Sequence, residues 1–118
     1  MSADTPTQHE MIGRLYDAYN NRDLESLTAL VSEDVDWPEG EVRLRGRAVV
    51  RSYWSRQWAR IHTQDEVAGV IDLAPDRATV RIRQVVRDLN GVIVSTGEFE
   101  HAYQFKDGLV ERMDLRKL

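Results

Sequence analysis

Over roughly the first sixty residues apolar side chains recur every three or four positions, and beyond them they recur every second one. The first spacing is that of helices with one buried face, the second that of strands with one buried face. Met11, Ile12, Leu15, Tyr16 and Tyr19 make one helical face. Thr5-Pro6-Thr7-Gln8 supplies its start: Thr5 can cap, Pro6 suits the first helical position, and Gln8 can close a capping box. Asn20-Asn21-Arg22 ends this helix, and Asp23 caps a short second one whose Leu24, Leu27, Leu30 and Val31 face inward. Val35-Asp36-Trp37 predicts a short strand stopped by Pro38 and Gly40. A third helix follows Gly46 and buries Val49, Val50, Tyr53, Trp54, Trp58 and Ile61. Strands are predicted near 65–73, 77–88, 92–105 and 109–116, joined by Ala74-Pro75-Asp76, Asn90-Gly91 and Asp107-Gly108. No linker, repeat or low-complexity tract interrupts the pattern, so residues 1–118 form one domain.

Side-chain parity also predicts two hairpin registers. A two-residue type I′ turn at Asn90-Gly91 pairs Leu89 with Val92, Arg83 with Glu98 and Arg81 with Glu100. Val80, Ile82, Gln84 and Val86 then share a face with Ile93, Phe99 and His101. A one-residue slip would put Glu98 and Glu100 into the core. For the last hairpin, a two-residue Asp107-Gly108 turn pairs His101 with Asp114, whereas a three-residue Lys106-Asp107-Gly108 loop pairs it with Met113. The first choice buries Arg112, Asp114 and Arg116, and the second buries Leu109, Met113 and Leu115. Burying three charges costs several kcal/mol more than burying three aliphatic side chains, so the three-residue loop is expected.

Composition narrows the function classes. The net charge of −4 argues against nucleic acid as a partner. No apolar run approaches the roughly 20 residues that span a bilayer. Met1-Ser2-Ala3-Asp4 lacks a signal-peptide pattern and the chain has no cysteine, so a cytoplasmic location is expected. Arg43, Arg45, Arg47, Arg51, Arg56 and Arg60 form an acid-free basic stretch, which reads as a solvated helix face balancing the acidic segment before it.

Candidate chemistry centres on Phe99-Glu100-His101-Ala102-Tyr103-Gln104-Phe105, where His101 falls on the buried aromatic face. It is either a satisfied core histidine or the polar centre of a pocket, able to act in acid–base work or to donate a hydrogen bond. Gln84 shares that face. Tyr16, Tyr19, Trp37, Trp54, Trp58 and Tyr103 suit the walls of a mostly apolar pocket. Glu39 and Asp36 are the candidate assisting carboxylates. His9, His62 and His101 show no metal-ligand spacing, and the His62, Asp65 and Glu66 cluster does not support a metal site. No phosphate loop, nucleophile elbow or dinucleotide fingerprint is present.

Several segments carry a family resemblance. Tyr16-Asp17-Ala18-Tyr19-Asn20-Asn21-Arg22-Asp23-Leu24, Glu33-Asp34-Val35-Asp36-Trp37 and Arg45-Gly46-Arg47 resemble the SnoaL-like family of the nuclear transport factor 2-like, ketosteroid isomerase-like superfamily. So do Tyr53-Trp54-Ser55-Arg56-Gln57-Trp58, and His101 followed by Lys106-Asp107-Gly108-Leu109-Val110. The resemblance implies an α+β cone: three N-terminal helices, with a short strand between the second and third, packed on a curved and mainly antiparallel sheet. It implies a homodimer through the outer sheet face. Matched to ketosteroid isomerase, the oxyanion tyrosine falls on Leu15 with Tyr16 beside it, the general base at or beside Glu39, and the second oxyanion donor on His101. Steroid-type isomerisation is therefore not expected, and the match leaves other proton-transfer chemistry open. Two functions follow: a cofactor-independent cyclase, isomerase or dehydratase acting on a small apolar molecule, or a non-catalytic ligand-binding or dimerisation module.

Overall fold

The computed structural model of the protein describes residues 7–118. Helix α1 (Gln8–Asn20) starts at Thr7, whose Oγ1 accepts from the Glu10 amide at 3.2 Å while its hydroxyl meets the Glu10 carboxylate at 3.3 Å. The cap is thus a Thr-x-x-Glu pair two residues beyond the expected Thr5 and Gln8, and Thr5 and Pro6 lie outside the described residues. Asp23 caps α2 (Leu24–Thr28) through the Ser26 amide, as expected. Helix α3 (Arg47–Trp58) enters from Gly46, whose φ of 99° a side chain would strain. Val50, Trp54 and Trp58 point inward, but Val49 is 47% exposed. Ile61 and Val31, expected at helix ends, begin strands instead.

The strands are β1 (Val31–Glu39), β2 (Val42–Arg45), β3 (Ile61–Ala74), β4 (Arg77–Asp88), β5 (Ile93–Lys106) and β6 (Leu109–Lys117). They form one open sheet in the order β2-β1-β6-β5-β4-β3, antiparallel except where β1 runs parallel to β6. The expected cone architecture is present, with one strand more than the sequence pattern suggested. Pro38 does not stop β1, which runs on to Glu39 and ends at Gly40. Gly40, at φ 59°, turns it into β2, with Glu39 opposite Val42. Pro38 is tolerated because pairing with β6 ends at Asp36, leaving no ladder bond there for its missing N–H.

Bulges shape both predicted hairpins. Arg81 faces Glu100 and Arg83 faces Glu98 as expected, but the turn differs. Asp88 and Val92 close a three-residue loop, Asn90 is not left-handed, and an extra residue at Val94 restores the register. Ile93, beyond that bulge, is exposed. At the last hairpin the expected three-residue loop is absent. Asp107 and Gly108, with φ of 54° and 75°, make a two-residue turn between Lys106 and Leu109. An extra residue at Glu111 then shifts the pairing, so Met113 faces Tyr103 and Leu115 faces His101. The aliphatic face arrives as predicted, by a bulge rather than by the loop, with Val110 buried in place of Leu109. Asp114 faces Ala102, and no His101–Asp114 dyad forms.

One core fills the concave side of the sheet, where Leu15, Leu27, Val50 and Trp54 meet Val80, Ile82 and Val110. No described helix is long and apolar enough to cross a membrane. On the convex side Asp36 joins three strands. Its carboxylate accepts from Arg43 Nε at 2.7 Å and from Arg112 at 3.0 Å, while Asp114 meets both arginines at the solvent edge. Asp36 is 13% exposed against 45% for Asp114, so its truncation strands two half-buried guanidinium groups. We expect Asp36→Ala to cost about 1–3 kcal/mol and Asp114→Ala less than about 1 kcal/mol. Urea midpoints at constant m-value will read the difference.

Candidate functional site

A cavity of about 210 Å³ opens between the helices and the concave face of the sheet. Its floor is the aromatic row that period-two spacing puts on one side of β5. Phe99, His101 and Tyr103 follow one another with ring centroids 6.4 Å apart, and the first two and last of these line the space. Tyr16 descends on them from α1. Its hydroxyl lies 2.7 Å from His101 Nδ1 and 2.8 Å from the Tyr103 hydroxyl, making a continuous chain of three polar groups. Leu15 lines the cavity too, but the helix turns about 100° per residue, and Tyr16 is the one whose hydroxyl meets His101. Trp37 and Trp54 form a wall, edge to face at 5.1 Å.

The hydrogen-bond chain admits two polarities. If Tyr103 donates to Tyr16 and Tyr16 to Nδ1, His101 carries its proton on Nε2. If His101 donates from Nδ1, the chain reverses and the Tyr103 hydroxyl is free to donate elsewhere. His101 Nε2 is buried and has no partner among the described residues. Burial lowers the imidazole pKa to about 4, so the ring is neutral near pH 7. Burial likewise raises Tyr16 and Tyr103, with Tyr103 and the Asp65 charge adding to the rise at Tyr16. Both phenols therefore stay protonated and act as donors.

Asp65 is the residue that sequence reasoning passed over. It lies near the start of β3, 5% exposed, and lines the same cavity. Asn20, at the end of α1, grips its backbone from both sides: Nδ2 donates to the Asp65 carbonyl at 2.7 Å and Oδ1 accepts its amide at 2.8 Å. Gln84, directly opposite on β4, donates to Oδ1 at 3.0 Å. Desolvation raises the carboxyl to about 6, against a smaller lowering by Gln84. The other carboxylate oxygen has no hydrogen-bond partner among the described residues. The signal was available. Ile61-His62-Thr63-Gln64-Asp65 alternates, and Thr63 and Asp65 fall on the inward parity that Gln84 marks across the hairpin.

The other candidates divide cleanly. Tyr16, Tyr19, Trp37, Trp54, Gln84, His101 and Tyr103 all line the cavity. Trp58 does not; it packs edge-on against Tyr19 at 5.9 Å and supports that wall from behind. Tyr19 reaches the rim through Gln57, which in turn donates to Tyr53. Asp36 sits in the convex-face ion cluster, because its neighbours Val35 and Trp37 claim the inward parity of β1. Glu39 is exposed in the strand's last position and does not line the cavity. Among the described residues no three His, Asp or Glu side chains gather as metal ligands do.

Comparisons with known proteins agree with this architecture. A suggested polyketide cyclase from Sinorhizobium meliloti superposes with a TM-score of 0.80 at 19% identity, covering 98% of this chain and 99% of that one. An NTF2-like protein of unknown function from Burkholderia pseudomallei gives 0.79 at 21% identity, covering 93% and 90%. An LEH-like epoxide hydrolase of M. tuberculosis gives 0.78 at 12% identity, covering 92% and 80%. At these identities the likeness is one of fold. No curated protein matches the sequence. The model of the SnoaL-like domain matches residues 12–113, and the chain belongs to that family within the NTF2-like fold.

Proposed function

We propose that the protein is a cofactor-independent acid–base enzyme of the isomerase, cyclase or dehydratase kind, acting on a small, largely apolar molecule. One observation carries the reading: the Asp65 carboxylate and the Tyr103–Tyr16–His101 chain line a single small cavity. A carboxylate poised near pH 6 can take a proton from a carbon beside a carbonyl. The oxygen that gains charge as the proton leaves is stabilised by a neutral donor from the hydroxyl–imidazole chain, in a site with little water to compete. Asp65 then returns the same proton to a second atom, so no redox partner is required. His101 keeps the central polar role and Asp65 takes the carboxylate role for which Glu39 and Asp36 were candidates. The reading includes a cytoplasmic homodimer through the convex sheet face, where rows such as Arg81–Glu100 would meet those of a second copy; light scattering at the monomer mass would overturn that part.

Deuterium uptake from D2O at the α-carbon of small cyclic ketones and diketones tests the chemistry. Wild type should accelerate uptake, with kcat/KM climbing as pH passes about 6 and Asp65 ionises. Asp65→Asn should lose about 10²–10⁴-fold. Uptake no faster than in buffer, or equal in the two proteins, overturns the enzyme and leaves a binding module.

Asp65→Asn should also stabilise the fold. Because the folded-state pKa is raised, ionisation opposes folding. Stability falls as pH rises from the ordinary carboxylate value of 3.8 towards 6, and the penalty is complete above that. An amide still accepts from Gln84 and carries no charge. The variant's advantage should therefore be absent at the acid end and grow to at most about 3 kcal/mol at neutral pH, as read by denaturant titration at several pH values. A variant destabilised at neutral pH would show that the carboxylate is there for structure.

A further inference from the structure

We infer that the cavity takes a neutral, single-ring, oxygen-bearing molecule, such as a cyclic enone or a phenol, rather than a fused polycycle or a carboxylate. The inference rests on the function proposed above and adds the substrate class. Size speaks first. A benzene ring fills an apolar cavity of about 150 Å³, so about 210 Å³ holds one ring and a few substituent atoms, and not a second and third fused ring. The walls do not readily yield: Trp54 is fully buried and Trp37 nearly so, locked edge to face. Flat aromatic faces on that side and along β5 match a flat guest.

Charge speaks second. Neither lysine nor arginine lines the cavity, and Asp65 is its sole charged lining residue among the described residues. A carboxylate guest would enter beside a like charge with no counter-ion, at a cost that neutral guests escape. Polarity speaks third. The lining offers a few polar groups, the hydroxyl–imidazole chain and the carboxylate oxygen of Asp65 that Gln84 leaves free to accept a hydroxyl, while the remaining lining is largely apolar or aromatic. The cavity thus selects a ring with a carbonyl or hydroxyl on one edge.

Calorimetric titration of the full-length protein with phenol, cyclohexenone, benzoate and a hydroxyanthraquinone tests this. Phenol and cyclohexenone should bind at least about tenfold more tightly than the other two. Benzoate should gain affinity in Asp65→Asn, and also in wild type as pH is lowered through about 6, while phenol changes little. The acidic titration keeps the test valid should the variant fold poorly. Equal or tighter binding of benzoate or the three-ring probe to wild type, or no binding by either neutral single-ring probe, overturns the inference. Single-ring binding without deuterium uptake would leave this inference standing and remove the enzyme, whereas uptake into a larger ring system would do the reverse.

Discussion

The six-stranded sheet wraps its helices with the help of strands that carry more residues than their partners. Ala68 and Ile71 in β3, Val94 in β5 and Glu111 in β6 are such extra residues, each unmatched across its ladder. Bulges of this kind bend a strand and increase its twist, and here they make the concave face on which the core and cavity sit. The bulge at Glu111 has a second consequence. Without it, the Asp107-Gly108 turn would set Arg112 opposite Tyr103 and Asp114 opposite His101. One extra residue sends those charges to the convex face, where Asp36 and Arg43 receive them, and brings Met113 and Leu115 to the cavity.

Within that frame the polar groups are few and tightly held. Tyr16 bonds to both Tyr103 and His101 inside an apolar shell that leaves His101 Nε2 without a partner among the described residues, and burial keeps the phenols protonated and the imidazole neutral. Asp65 is different. It is buried with one good donor, from Gln84, and its backbone is fixed by Asn20. A carboxylate left in such surroundings opposes folding at neutral pH, and such groups collect where chemistry is done. The site therefore combines a rigid neutral donor chain with one destabilised acid, an asymmetry suited to proton transfer.

Much of this was legible in the residues. The switch from helical to alternating spacing located the three helices and the four long strands, and Asp23 marked its cap directly. The charge pairing of Arg81 with Glu100 and Arg83 with Glu98 followed from keeping acids out of the core, and it survived a turn of different length because Val94 compensates for it. Seven of the candidate pocket residues reach the cavity for the same reason: parity on β1, β4 and β5, and helical phase on α1 and α3, put them on inward faces. Parity also marked Asp65. It was obscured because His62, Asp65 and Glu66 read as a charged cluster at a helix end rather than as the start of an alternating strand.

What the sequence determined by itself was the kind of element at each stretch and which face of it turns inward, because these depend on local periodicity and on the cost of burying charge. Tertiary structure alone decided which inward groups meet. Bulge positions depend on how far a strand must bend to stay on the helices, a demand set by all six strands together. Pro38 can lie within the β1–β2 hairpin because β6 leaves it unpaired on the other side. The meeting of Tyr16 with His101, and of Asn20 and Gln84 with Asp65, joins residues distant in sequence through the packing of α1 against the curved sheet. Periodicity along one segment carries no record of that distance, so the cavity and its acid belong to the fold.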